Sequence, residues 1–315
     1  METLNPKIND PFIAVIGGAN MDICGASTGP LVARDSNPGR VSLSPGGVAR
    51  NIAENLSMLG ANCRFLGAVG DDLYGDQLIR AGEESGIDMS GVLRAAGRRT
   101  STYLAVLDGQ GDMAVAINDM DIMETLTPEY IKSHQKTIKE AAAIVMDTNL
   151  TEAAIAEIAA YGKTCPIFVD VVSTAKAPKI LPHLANIHTL KANREEAEAI
   201  CGRIADLDKM AGWLHEKGVQ NVIITLGAEG VYYSNGLEHG INKSDSETSR
   251  PVNATGAGDA FVAGLVFSYL QKWDMPEAIK FSTSAAKLAM AHEGTINPAM
   301  SVLMVKKIMD NKNGQ

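Results

Sequence analysis

Val252-Asn253-Ala254-Thr255-Gly256-Ala257-Gly258-Asp259 runs directly into Ala260-Phe261-Val262-Ala263-Gly264-Leu265-Val266, an apolar stretch that reads as a buried helix. Glycines at the start of such a helix leave its first amides bare. Those amides have no partner within the helix, and the helix dipole favours negative charge beside them, so residues 256–258 make an anion cradle. An aspartate in the same turn does not suit a site built only to hold phosphate. It suits a proton acceptor for an incoming hydroxyl. Gly256, Ala257, Gly258 and Asp259, with Thr255 beside them, are therefore candidates for moving a phosphoryl group onto an alcohol. The alternative is an N-cap at Thr255 followed by a first-turn acid. Two familiar phosphate motifs are excluded. No Lys-Ser/Thr pair completes a P-loop, and Phe261 stands where a dinucleotide fingerprint needs its third glycine.

Outward from this stretch, β-rich apolar runs alternate with helical patterns. Residues 12–16, 64–69, 144–146, 167–171, 188–190 and 222–226 read as strands. Residues 48–59, 73–84, 152–160, 194–200 and 207–217 read as helices, followed after the motif by 260–270, 276–291 and 302–309. Strands alternating with helices at this spacing imply an α/β fold: a central, mainly parallel sheet with helices on both faces. Two segments break the rhythm. Residues 24–43 are polar and rich in turn formers, and residues 100–118 read as a hairpin around Asp108-Gly109-Gln110-Gly111. Strands without a following helix suit a small antiparallel flap placed as a lid over the ligand edge of the sheet.

Polar residues follow nearly every strand on that edge. Asn20 and Asp22 follow the first, and Gly46, Gly47 and Asn51 open a helix. Asp147 and Asn149 follow the strand at 144–146, Asp170 closes the next, and Asn193 and Glu196 come after the strand at 188–190. Each alone could be a cap or turn residue. Together they outline a site.

The whole chain has 315 residues, 45% of them hydrophobic, which is enough for one large core across residues 1–315. A net charge of −9 argues against nucleic acid or an anionic membrane surface as partner. No run approaches the ~18 apolar residues of a membrane span. Four scattered cysteines and six scattered histidines show no Cys-x-x-Cys and no zinc spacing. A soluble cytoplasmic protein is the expectation.

The ordered set Asn20-x-Asp22, Gly46-Gly47-x-x-x-Asn51, Asn193-x-x-Glu196, Thr225-x-Gly227-x-x-Gly230 and Thr255-Gly256-Ala257-Gly258-Asp259 resembles the ribokinase-like (PfkB-type) carbohydrate kinases over nearly the whole chain. The resemblance implies a three-layer α/β sandwich with a small β-lid, often part of a homodimer interface. It also implies transfer of the ATP γ-phosphoryl to a primary hydroxyl of a sugar or nucleoside. Carried over by position, Asp259 is the base and residues 256–258 the anion hole. Asp22, Gly47 and Asn51 hold sugar hydroxyls, with Asn20, Gly46, Asn118, Asn149 and Asp170 as further acceptor-side candidates. Asn193 and Glu196 match the Mg²⁺ and phosphate motif, the metal being held indirectly, and Thr225 and Gly227 match the nucleotide loop. Two departures stand out: Asn253 where the family usually has Asp, near its monovalent-cation site, and Ala192 in place of Pro. Cation dependence is thereby left open. Within the family, Asp35-Ser36-Asn37-Pro38-Gly39, Ser44 to Asn51, Ala116-Ile117-Asn118-Asp119-Met120 and the Asn253 motif look closest to the branch acting on a C-linked uracil nucleoside, at its 5′-hydroxyl. Ribose, adenosine and inosine are alternative acceptors, and a non-catalytic nucleotide-binding scaffold is a further alternative.

Overall fold

The computed structural model describes residues 11–202, 204–243, 253 and 255–310. Val252 and Ala254 of the opening motif lie outside them. Strands are β1 (Phe12–Ile16), β2 (Asn20–Ser27), β3 (Gly39–Gly46), β4 (Asn62–Leu66), β5 (Ala68–Gly70), β6 (Leu93–Ala95) and β7 (Thr102–Leu107). They continue as β8 (Met113–Asp119), β9 (Ala143–Asp147), β10 (Ile167–Asp170), β11 (Thr189–Asn193), β12 (Asn221–Thr225), β13 (Val231–Ser234) and β14 (His239–Asn242). Helices are α1 (Val48–Met58), α2 (Leu73–Glu84), α3 (Pro128–Ser133), α4 (Gln135–Glu140), α5 (Glu152–Ala159), α6 (Arg194–Cys201), α7 (Leu207–Glu216), α8 (Ala257–Leu270), α9 (Met275–Met290) and α10 (Val302–Asp310).

The large sheet has the order β14-β13-β12-β11-β10-β9-β1-β4. From β12 to β4 the strands run parallel, and β13 and β14 add an antiparallel edge. Alternate residues of one strand feed opposite cores, as the pleat requires. On β9, Ile144 and Met146 pack with α5, α6 and α7 through Ile155, Ile200 and Leu214. Ala143 and Val145 pack on the other face with Ile52 of α1, Phe261 of α8 and Phe281 of α9. Helix α8 is buried from Asp259 to Ser268, so its apolar surface runs all round rather than along one stripe. The alternation of β and α segments did announce this layering. The edge hairpin β13-β14, the short pair β5-β6 and the helices α3 and α4 were not anticipated.

A second sheet has the order β3-β2-β7-β8. Residues 24–43 do not form one irregular stretch. They supply the outer parts of β2 and β3, paired antiparallel from Asn20↔Gly46 to Ser27↔Gly39, and only residues 28–38 connect them. The alternation through Met21, Ile23, Val41 and Leu43 is short and borders the turn formers of residues 28–38, which hid it. Asn20 and Asp22 thus lie within β2 rather than in a loop after β1. Strand β7 pairs parallel with β2 and antiparallel with β8, with a register shift between Val106 and Leu107.

Candidate active site

The parallel strands bring their carboxyl ends to one edge, where ligands of open α/β sheets bind. Helix α8 starts there. Gly256 is its N-cap at φ 84, and no side chain caps the helix. A Cβ at that position would collide with the carbonyl of Thr295, so glycine is required both by the backbone angle and by the contact. The first-turn amides consequently remain open to an anion.

Asp259 lies in this turn, 9% exposed. Its Oδ2 accepts a 2.9 Å hydrogen bond from Asn51 Nδ2 of α1. Burial, reinforced by the negative charge of Asp170, pushes its carboxyl up to about 7. A carboxylate tuned near neutrality is suited to accept a proton.

Helix α1 is anchored by Asp147 at the end of β9. Its Oδ2 accepts the amides of Gly18 (2.9 Å) and Ala49 (3.0 Å), and its Oδ1 accepts that of Asn149 (2.9 Å). Gly47, the N-cap of α1, has φ 101. On the small sheet, Asp22 accepts a 2.5 Å hydrogen bond from Asn20 Nδ2. Burial raises its carboxyl, opposed by the Asn20 bond and the Arg50 charge, and Gly46 packs directly against it. The register Ser44↔Asp22↔Tyr103↔Asn118 sets these four side chains on one face of that sheet.

Several candidates prove to be engaged already. Asp170 donates nothing and accepts twice: from Lys191 Nζ at 2.9 Å on Oδ2 and from the Val172 amide at 2.8 Å on Oδ1. Asn149 Oδ1 accepts Lys176 Nζ at 2.6 Å. Asn193 and Glu196 form a capping box at the start of α6, each side chain accepting the other's amide at 2.8 Å. The capping bond uses Oε2 of Glu196, and burial raises its carboxyl. Thr225 Oγ1 donates to the Ala192 carbonyl at 3.5 Å, and Gly227 turns the chain at φ 58. Asn37 is spent within its own loop, accepting from the Val32 amide and donating to the carbonyls of Val32 and Asp35.

Among the described residues no cluster of three or more His, Cys, Asp or Glu is placed to hold a metal. That fits Mg²⁺, which keeps several waters and binds through few carboxylates plus substrate phosphates. At Asn253, near the family's monovalent-cation position, both ends of the side-chain amide are engaged. Its Oδ1 accepts the Thr255 amide at 2.8 Å, which fixes the amide orientation, and its Nδ2 donates at 2.8 Å to the Glu293 carbonyl.

A model of the pfkB family carbohydrate kinases matches residues 10–301. The chain belongs to that family. The kinase is 39% identical over 304 residues to pseudouridine kinase of Escherichia coli (strain K12), covering 95% of this chain and 97% of that one. Among solved structures it is similar to a ribokinase from Thermotoga maritima, with TM-score 0.83, 25% identity, and coverage of 96% and 100%. It also shares its fold with Arabidopsis thaliana ribokinase complexed with ribose and ATP, with TM-score 0.81, 21% identity, and coverage of 95% and 98%. The ribokinase-like α/β architecture is thus established. So is the reaction class, phosphoryl transfer to a hydroxyl of a sugar or nucleoside.

The sequence places Lys191 at the head of the stretch after the strand at 188–190 without giving it a role, and Asp147 reads there as one strand-end residue among many. A signal for Lys191 existed. A lysine between the buried apolar residues Leu190 and Ala192 must be paired if it too is buried, and Asp170 stands opposite it in register.

Proposed function

We propose that this kinase transfers the γ-phosphoryl group of ATP to the 5′-hydroxyl of pseudouridine. The observation that carries the transfer is the buried Asp259 in the open first turn of α8, hydrogen-bonded to Asn51. The hydroxyl gives its proton to Asp259 as its oxygen bonds to the terminal phosphorus. The bridging P–O bond breaks, and ADP leaves with that electron pair. The amides of residues 256–258 meet charge on the transferring group, an electrostatic contribution typical of this chemistry. Glu196 beside Asn193 would hold Mg²⁺ through water, and the ion would supply neutralisation of phosphate charge. Thr225 and Gly227 face the nucleotide side.

The choice of nucleoside rests on the 39% identical relative and on the small sheet. Adjacent strands lie ~4.8 Å apart, so Asn118 stands roughly 10 Å from Asp22 across Tyr103, on the same face. That spacing suits a sugar at Asp22 and its base over Tyr103 and Asn118. Pseudouridine carries an N1–H donor that uridine lacks, and an amide oxygen can receive it. Asn118 is the reader in this proposal, because Asn37 is already engaged. The small sheet then acts as a lid, and its opposite apolar face joins two copies as a homodimer.

The test is a panel of pseudouridine, uridine, ribose and adenosine, with ATP consumption and the phosphorylated position both measured. Pseudouridine is expected to exceed uridine in kcat/KM by well over tenfold, because a site built around a hydrogen bond rejects the analogue lacking it. Equal values would remove the base-reading role of Asn118. A preference for ribose or adenosine would assign the kinase to another branch of the family.

A further inference from the structure

Lys191 lies in the middle of the buried strand β11, with its side chain reaching the first turn of α8. Its Nζ donates to Asp170 at 2.9 Å. A Cβ built on Gly258 would sit 3.0 Å from that same Nζ, with the lysine as its near neighbour. The ammonium therefore rests against the backbone of the helix turn whose amides are open. Glycine at 258 makes this approach possible.

The placement is unusual electrostatically. A helix N-terminus carries partial positive charge and stabilises anions, so a cation beside it is repelled. Burial also opposes the charge. The ammonium nevertheless remains fully charged, because Asp170 pairs with it and the carboxylates of Glu196 and Asp259 lie near enough to add to that attraction. Its principal counter-ion is held firmly. Asp170 Oδ1 accepts the amide of Val172, a β-branched residue at φ 61, and such a backbone conformation persists only where its surroundings impose it. An ammonium has three N–H donors. Among the described residues one is used, on Asp170. The remaining donors, between Asp259 on the acceptor side and Glu196 on the nucleotide side, suit a multiply charged anion.

We propose that Lys191 contacts the phosphoryl group in flight, adding a point charge to the amides of residues 256–258. The proposal rests on the phosphotransferase reading but not on the identity of the nucleoside. Lys191→Met in the full-length protein is expected to lower kcat by about 10²–10³-fold, the loss typical of one donor to transition-state charge. The KM for the acceptor should stay within about threefold, as expected when an interaction made in the transition state is removed.

A structural ion pair alone could also give a damaged variant, so two further measurements separate the cases. Calorimetry with a non-hydrolysable ATP analogue and with ADP, each with Mg²⁺ and without acceptor, should show Lys191→Met weakening the analogue at least ~10-fold more than ADP, as removal of one charged contact predicts. The double variant Asp170→Asn/Lys191→Met should melt at a higher temperature than Lys191→Met alone yet remain inactive. Recovery of turnover in the double variant, or equal weakening of analogue and ADP, would reduce Lys191 to a partner of Asp170 and overturn the proposal. Should wild type phosphorylate none of the acceptors, the nucleotide comparison still reads Lys191, so the two failures stay distinct.

Discussion

Asp259 gathers opposing demands in one side chain. It must ionise to accept a proton, yet burial and the neighbouring Asp170 charge hold its carboxyl near 7, with Asn51 and Lys191 pulling the other way. The sign follows. A base works only when deprotonated, so kcat/KM should rise with pH and level off above an acid limb centred near 7 in the free enzyme. For stability, a carboxyl raised in the folded state favours folding below its ordinary range, and that contribution is lost as pH climbs to about 7. Asp259→Asn should therefore keep the fold at pH 8 while removing about 10²–10⁴-fold of turnover. Turnover within a few-fold of wild type, or an acid limb unmoved from the ordinary carboxylate range, would assign the base elsewhere.

At the scale of elements, helix α1 decides whether that residue has its partner. Its entry is fixed by Gly47 at φ 101, by the Arg50 amide donating to the Gly18 carbonyl at 3.2 Å, and by Asp147 gripping Gly18 and Ala49 together. The end of β1, the end of β9 and the start of α1 are thereby locked into one unit. An alanine Cβ at 47 would meet the Gly18 carbonyl oxygen at 2.5 Å and would hold a left-handed backbone angle besides. Gly47→Ala should destabilise the kinase by about 1–3 kcal/mol, the range for residues forced into sparse backbone regions. Urea denaturation at unchanged m-value measures it. An unshifted midpoint would show that the entry to α1 is pliable and that Asn51 is positioned by other contacts.

At the scale of the whole molecule, one face of the small sheet is left uncovered by the other described residues. Strand register places Leu43, Ile23, Leu104 and Ile117 in one row and Val41, Gly25, Val106 and Val115 in the next, all on the face of the small sheet opposite Asp22. Val41 is 70% exposed and Ile117 62%. Contiguous exposed apolar surface of this kind marks an interface, and a second copy is the proposed occupant. Val115→Lys with Ile117→Lys should yield monomers in sedimentation, and dimers surviving the double change would place the interface elsewhere. Much of this molecule was readable before any coordinates. The alternation of apolar strands and helices set the layered fold, because burial on both faces imposes it on each segment locally. The glycines before Asp259 disclosed the uncapped start of α8, because an open helix start depends on adjacent residues alone. The reading failed at β2 and β3, where a short alternation through Ile23, Val41 and Leu43 borders the turn-rich residues 28–38 and is easily taken for part of them. Strand order and register decided the rest. They bring Asn51 to Asp259 across 208 positions, set Lys191 against Asp170, and pair β2 in parallel with β7. Such contacts join residues whose local patterns are independent, and only the packed sheet relates them.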